Sequence, residues 1–144
     1  MRRGGERLTE NEKKKEYLSS YKNLCRKLQS LEEQLQSLRE VEQSAKIQQL
    51  SDMPKGGRQT DLSDYIVKID KVILKIIWAK EDLNNRKLEI EDKITSIENG
   101  LESDVLRKRY LELKTWERIG SELGYSSRQI INIHGKALIS FNIS

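Results

Sequence analysis

The chain has 144 residues but only one cysteine (Cys25), one histidine (His134) and one proline (Pro54). A single cysteine excludes an internal disulfide, and a reducing cytoplasm is the expected compartment. A single histidine with no cysteine near it excludes the usual zinc sets, so no metal is expected. No run approaches the 18 apolar residues that a membrane span needs, and no membrane partner is expected. Met1-Arg2-Arg3-Gly4-Gly5-Glu6-Arg7 has no apolar stretch after its basic residues, so no secretory leader is expected. Aromatic residues make up 6% and charged residues 35%, a balance that suits long solvated helices and argues against a sheet protein. No nucleophile elbow or paired-carboxylate constellation rises above the helix surface, and Glu32-Glu33 and Glu81-Asp82 fit solvated faces. Lys55 and Arg58 flank a glycine pair without the Gly-Lys-Ser/Thr ending of a nucleotide loop. The expectation is a non-enzyme without cofactors.

What is present is charge, unevenly spread. Net charge is +4 overall, +4 for residues 1–60, −2 for 61–100 and +2 for 101–144. The basic balance is compatible with nucleic acid but too small to argue it alone, and the middle segment is a poor candidate for a DNA surface.

Residues 1–10 are polar and glycine-containing and read as a flexible terminus. Lys13-Lys14-Lys15 reads as a solvated helix face, with a DNA contact as the lesser alternative. From there apolar residues fall at Tyr17, Tyr21, Leu24, Leu28, Leu31, Leu35 and Leu38, steps of four and three that mark a coiled-coil seam. Cys25 beside Leu24 reads as a small filler. The pattern lapses around Met53-Pro54-Lys55-Gly56-Gly57-Arg58, and residues 51–60 read as a hinge. A second helix is expected from Asp61 to about Glu98, ended by Asn99-Gly100. Its seam is Leu62, Ile66, Ile69, Ile73, Ile76, Leu83, Ile90, Ile94 and Ile97, with Lys80 and Lys87 at seam positions. Folded back on itself, residues 11–100 form a long antiparallel helical hairpin in which Leu50 meets Leu62, Leu38 meets Ile73 and Tyr17 lies near Ile94. A second stripe, Tyr65, Val72, Ile77 and Trp78, is left over, and a further helix, from a second subunit or from the headpiece, is expected to cover it.

Residues 101–144 read as a small helical headpiece. Three apolar-periodic segments follow one another: Val105, Leu106, Tyr110 and Leu113; Trp116, Ile119 and Leu123; Ile130, Ile133, Ala137 and Leu138. Thr115 can cap the second helix and Glu117 favours its positive end. Gly124 can take the left-handed conformation that ends it, and Ser126 with Gln129 makes a capping box for the third. In such a helix-turn-helix the first turns of the last helix face outward and read base edges. Arg128 can donate twice to guanine, Asn132 can pair twice with adenine, and Ser127, Gln129 and Ile131 flank them. Lys108, Arg109, Lys114, Thr115, Arg118 and Lys136 are candidate phosphate contacts. His134 lies on the same helix, either touching DNA or as a spectator.

The strings Val105-Leu106-Arg107-Lys108-Arg109-Tyr110, Thr115-Trp116-Glu117-Arg118-Ile119-Gly120 and Ser121 through Ile130, with Lys136-Ala137-Leu138, resemble the promoter-reading region four of bacterial sigma factors. Gly120 stands where that family usually has alanine, a change read as tolerable. Ile131 and Gly135 stand where sigma recognition helices often carry polar or basic residues. The string Met53-Pro54-Lys55-Gly56-Gly57 and the run Asp61 to Tyr65 resemble small phage and prophage transcriptional regulators of the ArpU and RinA kind. The resemblance implies an all-α chain in which the hairpin precedes a three-helix, sigma-like headpiece. It also implies sequence-specific binding to double-stranded DNA in a bacterial host cell, in the manner of an activator. RNA polymerase is a candidate second partner, and the hairpin would support a homodimer or other homo-oligomer. Competing readings are a small-terminase-like DNA-packaging subunit, a coiled-coil adaptor, and a three-helix cap that touches no DNA.

Overall fold

The computed structural model describes residues 8–51 and 58–144, the side chains of 51 and 58–61 excepted. The expected hinge at Met53-Pro54-Lys55-Gly56-Gly57 and most of the expected flexible terminus lie outside the described residues. Among the described residues five α-helices follow in order: α1 (Glu10–Ser51), α2 (Arg58–Thr95), α3 (Gly100–Leu106), α4 (Trp116–Leu123) and α5 (Ser127–Ser140), with one π-helical turn (Arg107–Leu111) continuing α3. Among the described residues there is no strand, and the all-helical class read from the composition stands.

Local chemistry explains where these helices start. Thr9 accepts from the Glu12 backbone N–H at 3.1 Å, so α1 is capped inside the segment expected to be flexible. The second helix begins at Arg58, not Asp61, because nothing between those residues breaks a helix. It ends at Thr95, earlier than expected. Asn99, read as part of the stop, is instead the cap of α3 and accepts from Leu101 and Glu102 N–H. An Asn side chain satisfies first-turn donors as readily as an Asn-Gly pair ends a helix, and here the former prevails.

The chain gathers into two compact units that fall differently from the sequence boundaries. Leu24–Asp82 is one; the other joins Met1–Asn23, described from residue 8, to Leu83–Ser144. In the first unit Leu28, Leu31, Leu35 and Leu38 of α1 are half-buried, as the seam requires. On α2 the buried residues are Ile69, Val72 and Ile76, with Tyr65, Ile73 and Ala79 half-buried. Lys80 and Lys87 are exposed, and Ala79 and Arg86 take the inward positions expected of them. A step of three from Ile76 reaches Ala79, which adds no desolvation cost, whereas a step of four would turn an ammonium inward. Tyr65 and Val72 therefore share the buried side of α2 with Ile69 and Ile76. Ile77, Trp78 and Ile66 are exposed, and Leu50, expected against Leu62, is 89% exposed.

In the second unit the first turns of α1 run antiparallel to the last turns of α2. Tyr17 donates to Glu89 and Arg86 donates to Ser20 at 2.6 Å. Tyr17 is thus centred on Glu89, with Arg86 and Lys93 over its ring at 5.5 and 5.8 Å. This is about one helical turn from the expected Ile94. The cause is Leu18, which is fully buried against Ile90 and Ile94 and sets the register in place of Tyr17.

The rest of that core comes from the C-terminal helices. Leu106, Leu138 and Phe141 join Leu18, Ile90 and Ile94, and each buried side chain of this size stabilises by roughly 1.5–3 kcal/mol. A second cluster, Val105, Ile119 and Ile130 with Trp116, Leu123 and Ile133 against it, ties α3, α4 and α5 together. Leu113 was expected in the apolar set but is 42% exposed. It takes a left-handed φ of 58° at the bend after the π-turn, which directs its side chain outward. Lys14 donates to the Leu138 carbonyl at 2.7 Å and Lys93 to the Ile143 carbonyl at 2.7 Å. Both ammonium groups thereby meet carbonyls at or just beyond the α5 C-terminus, where positive charge is favoured. Lys14 is thus a clamp on α5 and not part of a solvated face.

Candidate nucleic-acid interface

The turn between α4 and α5 sets the direction of the candidate reading helix. Thr115 caps α4 by accepting from Arg118 N–H at 3.2 Å. Gly124 closes it at φ 82°, a left-handed conformation open to glycine at little cost. The Gly120 carbonyl accepts from both Gly124 N–H and Tyr125 N–H, at 2.8 and 2.9 Å. Ser126 then accepts from Gln129 N–H while the Gln129 side chain accepts from Ser126 N–H, a complete capping box.

Gly120 is more demanding than the sequence suggests. A Cβ built there would stand 2.4 Å from the Tyr125 carbonyl oxygen. The change to alanine, read as tolerable, is therefore not free, because a backbone oxygen cannot swing aside as a side-chain end can. The close pass of α4 under the turn requires the missing side chain.

On α5 the apolar face is buried through Ile130, Ala137 and Leu138. Arg128 and Asn132, four residues apart, are exposed on the opposite face, and their side chains have no bonded partner among the described residues. Ile131 is 46% exposed on the flank of the same face, and Ser127 is half-buried at the first position of α5. Gln129 is exposed, but its carbonyl oxygen is committed to the cap. Lys136 is exposed further along. Gly135 lies on the outward face, and a Cβ there would meet nothing within 4 Å. No packing within the chain demands a glycine that costs about 1 kcal/mol in a helix interior.

The remaining candidate phosphate contacts are placed differently. Lys108, Lys114 and Arg118 converge on one carboxylate: their nitrogens lie 2.7, 2.8 and 2.8 Å from Glu122. Lys114 also pairs with Glu112 at 2.6 Å. Hydrogen bonds from Arg118, Lys108 and Lys114 hold Glu122 well below the usual carboxylate range. The bonds to Glu112 and Glu122 raise Lys114. Arg109 lies with its guanidinium 4.0 Å from the Trp116 ring centre and donates to the Lys114 carbonyl at 3.1 Å. Glu122 as a hub was missed at the sequence level; its spacing of four from Arg118 was the available signal.

His134 is part of the core. It is 6% exposed, shares a 2.7 Å hydrogen bond with the Tyr110 hydroxyl and meets the Trp116 ring edge-on at 4.8 Å. Burial, then the charges of Lys15 and Arg109, push its imidazole down to about 4. Burial pushes the Tyr110 phenol up to about 12. Both are neutral near pH 7. Among the described residues no group of His, Cys, Asp and Glu could hold a metal ion, and no helix is long and apolar enough to cross a membrane.

No protein-family model, curated protein or solved structure matches the chain.

Proposed function

We propose that the chain binds double-stranded DNA sequence-specifically, as a transcriptional regulator of the small phage or prophage kind, by laying α5 in the major groove. The observation that carries this reading is the pair Arg128 and Asn132, presented on one exposed face of a capped helix with no partner among the described residues. An unpaired guanidinium and an unpaired amide four residues apart match the bidentate donors and acceptors of guanine and adenine edges. The glycine without packing purpose at Gly135 supports the same face, because it lets the helix backbone approach a partner closely. Thr115, Lys136 and Arg109 are the phosphate contacts least compromised by internal pairing. Lys108, Lys114 and Arg118 must exchange Glu122 for a phosphate in order to contribute.

The long helices complete the proposal as an antiparallel hairpin that joins two or more copies. Exposed Val67, Leu74, Ile77 and Trp78 on α2 supply apolar surface for it. A dimer would then address two half-sites about one helical turn, or a multiple, apart.

Arg128→Ala is the test. It is expected to lose ~1–3 kcal/mol on a preferred duplex and little on random duplex, relaxing the sequence at one base pair. Lys136→Ala is expected to weaken both equally and to flatten the salt slope by about one contact. Equal losses on both duplexes from Arg128→Ala would remove it from base reading. Failure of the intact protein to bind any duplex at low salt would end the proposal.

A further inference from the structure

Next to the α5 face lies a groove of about 350 Å³ whose lining holds several cations and no carboxylate. One wall is α1, where Lys15, Ser19 and Lys22 recur at steps of four and three and so share a helix face. The adjoining stripe carries Leu18, fully buried in the core, so the position of this wall is fixed by packing. Opposite stand Arg109 and Trp116, with Ile131 of α5 on the rim. Arg109 is itself held, stacked on Trp116 at 4.0 Å and bonded to the Lys114 carbonyl.

The charge in this groove is left unbalanced. Among the described residues Lys15 and Lys22 have no anionic partner, in contrast to Lys114, which is engaged by Glu112 and Glu122. Cations gathered on a concave surface with a low-dielectric wall focus a positive potential, which an anion relieves. Lys15 and Arg109 both depress the His134 imidazole beneath the groove, in keeping with that potential. A flat aromatic, a half-exposed isoleucine and a serine hydroxyl among the cations suit a sugar-phosphate strand better than a bare ion.

We infer that this groove holds a backbone phosphate of the duplex whose bases α5 reads, with Lys15, Lys22 and Arg109 as donors. The inference rests on the DNA-reading proposal and adds α1 to the interface. Ile131 on the rim is three residues from Arg128, less than one turn of α5, so the phosphate lies beside the read bases and holds the helix in register.

The double variant Lys15→Ala, Lys22→Ala tests it, since both side chains are exposed and alanine suits a helix. The slope of log K against log salt is expected to flatten by about 0.9, the value for one phosphate, and affinity to fall by about tenfold, equally on preferred and random duplex. A variant that binds with an unchanged slope overturns the inference while base reading stands. An intact protein that binds no duplex overturns both. Trp78→Phe leaves Trp116 as the only tryptophan and reports on the groove directly. Duplex is expected to change its emission, while inorganic phosphate at matched ionic strength is not. An equal response to inorganic phosphate would make the groove a small-anion site and overturn the backbone role.

Discussion

Around the start of α4, Lys108, Lys114 and Arg118 share the carboxylate of Glu122 at 2.7–2.8 Å; on α5, the side chains of Arg128 and Asn132 bond to nothing among the described residues. The two surfaces belong to the same compact unit and look alike in the sequence, each a few polar and basic residues at helical spacing. The first spends its charge inside the fold, pinning the π-turn and the loop before α4 to the side of α4. The second leaves its donors to solvent. A cation is a strong candidate for ligand contact when the fold gives it no counter-charge, and its residue type alone does not tell which kind it is.

The contrast depends on α5 being held at one angle to α4, and Gly120 holds it. Gly120→Ala is expected to destabilise the headpiece by about 3 kcal/mol, because the new Cβ meets a backbone oxygen. Thermal unfolding would measure this. An unchanged melting temperature would mean that the turn can move and that the outward face of α5 is not fixed.

His134 probes the buried side of the same helix. Its imidazole stays neutral in the fold, held at about 4 against an ordinary 6.5. The unfolded chain therefore takes up the proton first as the pH falls. The stability tied to this group is complete above about pH 6.5 and is lost progressively toward pH 4, by about 2 kcal/mol. Urea unfolding at pH 7 and pH 4.5 should show a larger acid loss in the wild type than in His134→Gln. Equal losses would show that the ring is not shielded.

Gly135→Ala is expected to stabilise α5 by about 0.5–1 kcal/mol, since no packing opposes a Cβ there, and to weaken duplex binding. A gain in both stability and affinity would mean that nothing approaches that part of the helix. Glu122→Gln has the smallest expected effect. It removes the shared counter-charge, and the salt slope of duplex binding should steepen by about one contact as a freed cation reaches a phosphate. An unchanged slope would place the whole cluster off the DNA.

Much of the headpiece was legible because its signals are local. Thr115, Gly124 and the Ser126–Gln129 box act within four residues of themselves, and each is found doing what its chemistry suggests. The hub at Glu122 was legible only through Arg118, four residues away; Lys114 and Lys108 lie 8 and 14 residues away and meet it only after the chain bends at Leu113. Register was also out of reach. Tyr17 and Leu18 are both apolar neighbours, and a one-residue choice between them moves every pairing along α2. The same ambiguity placed Lys80 and Lys87 inside the seam, where a three-step to Ala79 and Arg86 was equally periodic. Phe141 was passed over and Lys14 read as solvated because nothing around them in sequence announces that the end of α5 is clamped between α1 and the core.

The most direct measurement is selection of bound sequences from random duplex DNA by the intact protein. Enrichment of one motif, with its conserved positions lost in Arg128→Ala, is the expected result. Retention of DNA without any enriched motif would contradict base reading by α5, and no retention at low salt would contradict DNA binding itself.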